Sequence, residues 1–474
     1  MPTLTRGIAL ATKCATPFVG KRGLATTAEA LVVLGQKHVN KGVPKLTQDV
    51  FQSGQGSWVT MLSGKKYLDF TSGIGVTNLG HCHPRVSKAA ADQCMRIVHG
   101  QCSIAYNEPY LRLIEKLLPM MPHPSLDSFF FWNSGSEAVE GAIKIARMVT
   151  GKQNIISMQG AYHGRTMGAV AVTKSKTGYS EGTHPLMPGV YSTPFPYWHH
   201  FLGTADMGEA ELVRHCLYQL ELLLQQQTAP KDTAAIIIEP VLGEGGYVPA
   251  SAAYLRGLRD ICDKHNILLI IDEVQSGFGR TGKNFAIEYS GVRPDIMLMA
   301  KARCFGLANG FPLSCIVSRR EITDNLKPGS MGGTYAGNAV ACAAAVAVAD
   351  VFKEERILEN VNARSKELFS SLEVLRQSPK IAPYILDVRG QGLMVAVEFA
   401  SPTHSVHDPV IHKSAPTNLS TRVAARCLDK GMLLLTTSAY ETVRFIPALN
   451  ISYEDLAAGA AIFTKAVEEI VDEA

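Results

Sequence analysis

Lys301 and Asp272 each come directly after a short apolar run of the kind that forms a buried strand. The run before Lys301 covers residues 296–300, and the run before Asp272 covers residues 267–271. Burial lowers the pKa of a lysine, so its amine can act as a neutral nucleophile. A buried carboxylate needs a cationic partner because an unpaired buried charge is costly. Alone, each residue also has an ordinary explanation: a lysine whose amine reaches solvent, and an aspartate paired with an arginine.

A third polar segment, Asn133-Ser-Gly-Ser-Glu137, follows the apolar run 129–132 and precedes a helical pattern. Small residues at the start of a helix let a phosphate approach the backbone N–H groups, and the helix dipole favours it there. A simple helix cap, which needs only one Ser or Asn, explains the segment almost as well. Taken together, a phosphate cradle, a strand-end carboxylate and a strand-end lysine are what the chemistry of pyridoxal 5′-phosphate (PLP) requires.

Short apolar runs alternate with longer helical patterns between residues 85 and 345, which predicts a parallel sheet buried on both faces. The runs that we predict as strands are 129–132, 154–158, 234–238, 267–271 and 296–299. Functional groups in such a sheet collect beyond the carboxyl ends of the strands. After residue 345 the pattern predicts a long helical stretch, the β-rich segments 385–399 and 432–446, and a terminal helix. The predicted fold class is α/β, with a large, mostly parallel sheet domain and a smaller α+β domain from both chain ends.

The 474 residues exceed what a single hydrophobic core usually supports. We predict an N-terminal presequence at 1–28, the first segment of the small domain at 29–84, the large domain at 85–345 and the rest of the small domain at 346–474. The presequence contains four basic residues and no acidic one, a composition typical of mitochondrial targeting. It therefore predicts a location in the mitochondrial matrix.

The overall composition argues against several other classes of protein. The net charge of +4 equals the charge of the predicted presequence, so the rest of the chain is near neutral and no nucleic-acid partner is expected. No run reaches the roughly 18 apolar residues of a membrane-spanning helix, so no membrane partner is expected. The ten cysteines are scattered without metal-site spacing, which predicts neither structural disulfides nor a metal site.

Several longer motifs resemble those of the class III aminotransferases. They are Asn133-Ser-Gly-Ser-Glu-Ala-Val-Glu140, Tyr162-His-Gly-Arg-Thr166, Ile238-Glu-Pro-Val-Leu-Gly-Glu-Gly-Gly246, Ile271-Asp-Glu-Val-Gln275 and Gly333-Thr-Tyr-Ala-Gly-Asn338. The resemblance extends over essentially everything after residue 35, and it implies the fold-type-I architecture of PLP-dependent transferases and a homodimer. Within the family, the 4-aminobutyrate aminotransferases are most similar, and the acetylornithine and ornithine aminotransferases come next.

The resemblance also implies a role for each cofactor residue. Lys301 forms a Schiff base with the aldehyde of PLP and carries the proton between the substrate's Cα and C4′ of the cofactor. Asp272 pairs with the ring nitrogen. The other cofactor-binding residues are Gly135 and Ser136 at the phosphate, Tyr162 on the ring face, Gln275 at the ring's 3-oxygen, and Thr334, which reaches the phosphate of the partner subunit.

The residues that the resemblance assigns to the substrate are Ile74, Arg165, Glu239, Glu244 and Arg444. In the 4-aminobutyrate branch, the counterpart of Arg165 binds the distal carboxylate of the ω-amino acid. The counterpart of Arg444 pairs with that of Glu244 in this half-reaction and is then released to bind the α-carboxylate of glutamate. Ile74 supplies a compact apolar side chain, and Glu239 lines the site near the distal-carboxylate arginine. Arginine suits both carboxylates because its planar fork binds them with two hydrogen bonds, although each arginine alone also fits a structural ion pair.

One segment departs from the family pattern. In the family, the Ala-Lys pair is followed at once by a segment similar to residues 306–310, whereas here Ala302-Arg-Cys-Phe305 stands between them. The segment is either an error at a splice junction or the mark of a divergent or inactive relative. We predict transamination of an ω-amino acid with a 2-oxo acid, with 4-aminobutyrate and 2-oxoglutarate as the pair. The alternatives are acetylornithine or ornithine transamination, PLP-dependent isomerisation or decarboxylation, and a non-catalytic protein of the same fold.

Overall fold

The computed structural model describes residues 27–201, 207–300, 308–402 and 415–473. The strands are β1 (Phe51–Gln55), β2 (Trp58–Met61), β3 (Lys66–Asp69), β4 (Leu126–Trp132), β5 (Asn154–Met158), β6 (Val190–Thr193), β7 (Thr233–Ile238), β8 (Val241–Leu242), β9 (Val248–Pro249), β10 (Leu268–Asp272), β11 (Ile296–Ala300), β12 (Ser314–Arg319), β13 (Ile385–Gln391), β14 (Met394–Phe399), β15 (Met432–Leu433), β16 (Leu435–Thr437) and β17 (Thr442–Phe445). The α-helices are α1 (Ala28–His38), α2 (Ser72–Gly75), α3 (Pro84–Cys94), α4 (Glu108–Leu117), α5 (Gly135–Thr150), α6 (Met167–Val172), α7 (Glu209–Gln226), α8 (Ala252–His265), α9 (Arg320–Thr323), α10 (Ala339–Glu354), α11 (Ile357–Gln377), α12 (Leu419–Asp429) and α13 (Tyr453–Asp472). Short 3-10 turns lie at Leu118–Met120, Thr177–Tyr179, Trp198–Phe201, Ala286–Tyr289 and Ala382–Tyr384.

The central sheet has seven strands in the order β4-β12-β11-β10-β7-β5-β6. Strands β6, β5, β7, β10 and β11 pair with one another in parallel. Strand β12 runs antiparallel to both of its neighbours, β11 and β4, so β4 points the same way as the parallel strands. The predicted α/β class with a mixed, mostly parallel sheet is confirmed.

Both faces of this sheet are buried, because alternate residues of its central strands join two separate apolar clusters. In β10, Leu269 and Ile271 belong to one cluster and Ile270 belongs to the other. Val139 and Ala142 of α5 pack in the same cluster as Ile270. Helices therefore cover a sheet of consecutive apolar residues, as the run pattern predicted.

All five runs predicted as strands are strands of this sheet, with ends that differ by at most three residues. Two further strands, β6 and β12, were not predicted. The β-rich C-terminal segments form β13 and β14, which pair antiparallel, and β14 pairs with β17. A long helical stretch, α10 and α11, precedes them, and α13 ends the chain as predicted.

Segments from near the two ends of the chain pair directly. Strand β15 runs parallel to β3, with Met432 opposite Leu68 and Leu433 opposite Asp69. Strand β3 in turn pairs antiparallel with β2. The division of the chain at residues 85 and 345 stays a prediction.

Two compact units are distinguished within the described chain. Residues 27–52 and 61–65 form the first, and residues 53–60 and 66–473 form the second. In the first unit, Thr27 caps α1 by accepting a hydrogen bond from the amide of Ala30 at 3.2 Å. The predicted presequence lies outside the described residues except for its last two positions.

None of the helices in the described ranges is long and apolar enough to cross a membrane. Those same ranges contain no group of three His, Cys, Asp or Glu side chains arranged to hold a metal ion. His81, which neighbours a cysteine and a second histidine in the sequence, pairs with Asp69 at 2.8 Å.

Candidate active site

A cavity of about 370 Å³ opens where strands β4, β5, β7 and β10 end. Because these strands are parallel, their carboxyl ends and the loops that follow meet at one edge of the sheet. The cavity is lined by Val76, Asn133, Ser134, Gly135, Ser136, Tyr162, His163, Gly164, Glu239, Asp272, Val274, Gln275, Gly310, Phe311, Pro312 and Leu313. Two of the three strand ends that the sequence singled out, those of β4 and β10, thus contribute to one site.

Helix α5 begins at this cavity. Ser134 is its N-cap, and its hydroxyl oxygen accepts a hydrogen bond from the amide of Glu137 at 3.3 Å. A Cβ at Gly135 would lie 3.2 Å from Cγ1 of Val274 and 3.5 Å from Cβ of Ala300, so glycine lets the helix start close to the ends of β10 and β11. The first amides of a helix have no partner inside the helix, and they favour an anion.

Asp272 ends β10 and is 3% exposed. Its Oδ1 accepts a hydrogen bond from the amide of Val274 at 2.9 Å, and its Oδ2 lies 2.7 Å from Nδ1 of the buried His163. Among the described residues, no arginine or lysine forms an ion pair with this carboxylate. The ordinary explanation for a buried aspartate, an ion pair with an arginine, is therefore not supported in this part of the chain.

Glu239 joins the loops that follow β5 and β7. Its Oε1 accepts a hydrogen bond from the amide of Tyr162 at 2.8 Å, and its Oε2 accepts one from the amide of Gly243 at 2.9 Å. Burial raises the pKa of Glu239 above its ordinary value. A Cβ at Gly243 would lie 1.6 Å from Oε1 of Gln275, so this glycine leaves room for the glutamine side chain beside the cavity.

Arg165 projects from the loop after β5 with an exposed side chain. Its Nε donates a hydrogen bond to the hydroxyl of Tyr162 at 3.1 Å, and its guanidinium lies 4.6 Å from the centre of the Tyr179 ring. No carboxylate among the described residues lies within ion-pair distance of it. Two tyrosines therefore contact this arginine, one through its hydroxyl and one through its ring, while its charge stays available.

Arg444, on β17, is in the opposite situation. It is buried, and its Nη1 forms an ion pair with Oε1 of Glu244. The other carboxylate oxygen of Glu244 accepts a hydrogen bond from the hydroxyl of Tyr179 at 3.1 Å. Burial, together with this carboxylate, raises the pKa of Tyr179 to about 12. Tyr179 thus contacts Arg165 through its ring and Glu244, the ion-pair partner of Arg444, through its hydroxyl.

The family model for class III aminotransferases matches residues 39–467 of the chain. The chain belongs to the class III aminotransferases. The 5-aminovalerate aminotransferase DavT of Pseudomonas aeruginosa is 37% identical over 94% of this chain and 100% of its own length. The 4-aminobutyrate aminotransferase GabT of Escherichia coli is 37% identical over 91% of this chain and 96% of its own, and an acetylornithine aminotransferase of Methanocaldococcus jannaschii is 38% identical over 86% and 90%.

Solved transaminase structures have the same fold. An (S)-enantioselective ω-transaminase from Thermomicrobium roseum aligns with a TM-score of 0.84 and 31% identity, over 94% of this chain and 99% of its own. The ornithine aminotransferase of Toxoplasma gondii aligns with a TM-score of 0.79 and 27% identity, over 94% and 96%. This aminotransferase therefore has the fold-type-I architecture of PLP-dependent transferases and uses PLP as its cofactor.

The residues around the cavity fit PLP. The buried carboxylate of Asp272, which has no lysine or arginine partner in the described ranges, suits a protonated ring nitrogen. The start of α5 at Gly135 and Ser136 suits a phosphate. Gln275 and Tyr162 border the same cavity. The described residues thus supply an anion for the ring and amides for the phosphate.

Some predicted site residues lie elsewhere in the aminotransferase or outside the described chain. Thr334 is exposed and is not among the residues that line the cavity, and its carbonyl oxygen contacts Nε2 of His99 at 2.6 Å. Ile74 is 42% exposed and adopts a left-handed backbone conformation with φ 65°, which is rare for a β-branched residue. Its neighbour two positions on, Val76, is the one that lines the cavity. Lys301 and the segment 302–305 lie outside the described residues.

Two residues of the site were missed by the sequence analysis. His163 lies inside the motif that begins at Tyr162. Its imidazole contacts the carboxylate of Asp272 and so supports that residue in the site. Tyr179 stands in a short 3-10 turn without a motif of its own. Only the fold shows that it lies between Arg165 and Glu244.

Proposed function

We propose that this aminotransferase moves the amino group of 4-aminobutyrate to 2-oxoglutarate. The observation that carries the proposal is that only one of the two arginines has a carboxylate partner among the described residues. Arg444 is paired with Glu244, whereas Arg165 has no carboxylate partner among the described residues. One available cation matches a donor that has a single, distal carboxylate.

The same pair of arginines accounts for the second substrate. Glutamate and 2-oxoglutarate carry two carboxylates, so a site that accepts them needs a second cation. Arg444 supplies it if Glu244 withdraws, and Glu244 keeps a hydrogen bond from Tyr179 that does not involve Arg444. If the second carboxylate of glutamate replaces Glu244 on Arg444, a single site can accept substrates with one carboxylate and substrates with two.

We assign to the remaining residues of the site the roles that the resemblance to the family implies. Bound PLP supplies an electron sink for the bond broken at the substrate carbon. Asp272 holds a proton on the ring nitrogen, and His163 fixes the orientation of that carboxylate. Gly135 and Ser136 bind the phosphate, and Gln275 and Tyr162 position the ring. Lys301, through its Nζ, carries the substrate proton, and Ile74 and Glu239 border the substrate.

A panel of amino donors tests the proposal. Wild-type protein is expected to react with 4-aminobutyrate and 5-aminovalerate in the presence of 2-oxoglutarate, and to react less well with acetylornithine or ornithine. The relatives include acetylornithine aminotransferases at 38% identity, so this comparison decides between the two branches. A preference for acetylornithine would overturn the proposal, and the absence of any transamination would indicate a non-catalytic protein.

Arg165→Gln is expected to raise the KM for 4-aminobutyrate by about 10- to 100-fold, since a hydrogen-bonded ion pair contributes ~1.5–3 kcal/mol. The half-reaction with L-alanine, which has no distal carboxylate, is expected to change little. Stopped-flow absorbance of the cofactor measures both half-reactions. Arg85→Gln, at an exposed ion pair with Glu354, is the matched control. An equal loss with both donors would remove Arg165 from its assigned role.

Deleting Ala302 to Phe305 tests the segment that departs from the family pattern. The shortened protein is expected to bind PLP at least as well and to react faster, because misplacing reacting groups by ~1 Å costs roughly 100-fold in rate. Cofactor titration and single-turnover rates measure the two effects. Loss of an activity that the full chain possesses would show instead that the segment is a working part of a divergent site.

Two further proposals concern assembly and location. We propose a homodimer in which Thr334 serves the partner subunit's phosphate site, supported by its exposure and by its absence from the residues that line the cavity of its own chain. Analytical ultracentrifugation should then give twice the chain mass, and a monomer would contradict the proposed homodimer.

We also propose import into the mitochondrial matrix, supported by the four basic residues and no acidic one in residues 1–28. A fluorescent protein that carries these residues should enter mitochondria, and cytosolic fluorescence would contradict it.

A further inference from the structure

Glu140 lies on α5, four residues after Ser136, and its side chain reaches the loop that carries Arg165. Its Oε1 accepts three hydrogen bonds: from the hydroxyl of Thr166 at 2.7 Å, from the amide of Gly168 at 2.8 Å and from the amide of Ala169 at 3.2 Å. Thr166 is the N-cap residue of α6, but its own side chain caps nothing. A carboxylate from another helix therefore takes over the capping of α6.

The contact between the two segments leaves no spare room. A Cβ at Gly168 would lie 2.2 Å from Oε2 of Glu140, so the carboxylate reaches the loop only because this residue is glycine. A Cβ at Gly164 would lie 2.2 Å from the hydroxyl oxygen of Ser136, and that oxygen accepts a hydrogen bond from the amide of Arg165 at 3.2 Å. Two side chains of α5 thus hold the backbone on both sides of Arg165.

This anchoring matters because the Arg165 side chain is weakly held. It is exposed, and among the described residues its guanidinium contacts only the hydroxyl of Tyr162 and the ring of Tyr179. Fixing a long side chain costs rotamer entropy, and two contacts offset only part of that cost. The position of the guanidinium therefore depends on the position of the Arg165 backbone. A shift of the loop would move the guanidinium away from its working position.

We propose that Glu140 is a positioning residue that fixes Arg165 for the distal carboxylate of the substrate. The inference rests on the proposed function, since it assigns the carboxylate site to Arg165. Helix α5 then serves two sites: its first turn faces the phosphate, and its second turn holds the loop of the substrate arginine. The same helix, α5, therefore positions both the phosphate site and the arginine that binds the distal carboxylate.

The test is Glu140→Ala. We expect the KM for 4-aminobutyrate to rise by about 10-fold, because a displaced guanidinium loses part of its charge-assisted hydrogen bonding to the distal carboxylate. The KM for L-alanine and the rate at saturation are expected to stay within about twofold. Hydrogen exchange of the amides of Gly168 and Ala169 should become faster in the variant, with or without cofactor, since both lose their acceptor.

Three further variants complete the test. Glu140→Gln keeps an acceptor oxygen and should restore most of the KM, while Thr166→Val removes one donor and should reproduce a smaller part of the effect if Glu140→Ala does not fold. Glu288→Ala is the matched control: Glu288 also caps a short helix, by accepting from the amide of Phe285 at 2.7 Å, and its loss should leave the KM values unchanged.

An unchanged KM for 4-aminobutyrate in Glu140→Ala would overturn the inference, and so would an equal rise for L-alanine, which indicates a general structural role. Failure of the proposed function is a separate result. It would appear in the wild-type protein, as the absence of any reaction with 4-aminobutyrate.

Discussion

Replacing Lys301 by alanine is expected to abolish transamination while the protein still folds and binds PLP non-covalently. A group that moves a proton at the reacting carbon contributes roughly 10²- to 10⁴-fold to the rate, and the covalent contribution is lost as well. The residue before Lys301, Ala300, ends β11 opposite Ser314 of β12, and its Cβ would lie 3.5 Å from a Cβ built on Gly135. Strand β11 pairs with β10, which ends at Asp272. Lys301 therefore follows directly from a strand end that borders the site of Asp272.

Single-turnover rates with 4-aminobutyrate and the absorption band of the bound cofactor measure the effect of this change. Lys283→Ala is the matched control. The Nζ of Lys283 lies 4.4 Å from the centre of the Tyr289 ring and 3.4 Å from the carbonyl oxygen of Glu288, away from the cavity lining. Full activity in Lys283→Ala together with none in Lys301→Ala is the expected pattern. Retained turnover in the Lys301 variant would give the catalytic role to another lysine.

Much of the central sheet could be predicted because its inner strands are nearly continuous apolar runs. Strand β5 was predicted at its observed ends, and the observed β11 is one residue longer than predicted. Strand β12 was missed because only its middle, Cys315–Val317, is apolar, between Ser314 and Ser318. Its two serines are nevertheless buried, since the strand lies between β11 and β4. A short run with polar ends gives no periodic signal, and only the pairing of its neighbours creates the environment that buries it.

The residues of the candidate site likewise fall into those that the sequence could indicate and those that only the fold could reveal. Asp272 could be singled out from the sequence because its residue type coincides with a strand end, whereas Arg165 was assigned from the resemblance of its motif to the family. The ion pair between Glu244 and Arg444 was inferred only from the resemblance, since 200 residues separate the two positions. Tyr179 and Glu140 act through contacts that depend on how loops and helices pack. No local pattern in the sequence marks such contacts.

Asp272→Asn is the second change from which we expect a large effect. An opposite charge at close range shifts a pKa by about 1–3 units, and each unit is worth ~1.4 kcal/mol. A neutral amide cannot hold the proton on the ring nitrogen, so the rate of each half-reaction should fall by about 10- to 1,000-fold. The shape of the site is expected to survive, because the amide oxygen can still accept from Val274 and the amide group can donate to His163.

Glu273→Gln provides the matched control for that prediction, since it replaces the adjacent buried carboxyl group by an amide. Glu273 is fully buried, burial raises its pKa to about 7, and its Oε1 accepts a hydrogen bond from the amide of Ile287 at 2.7 Å. Glu273 is not itself among the residues that line the cavity, so the variant should keep its single-turnover rate. Thermal unfolding of both variants separates a loss of charge from a loss of fold. Near-normal rates in Asp272→Asn would reduce Asp272 to a structural partner of His163, because the two variants replace adjacent buried carboxyl groups by amides and differ in what those groups face.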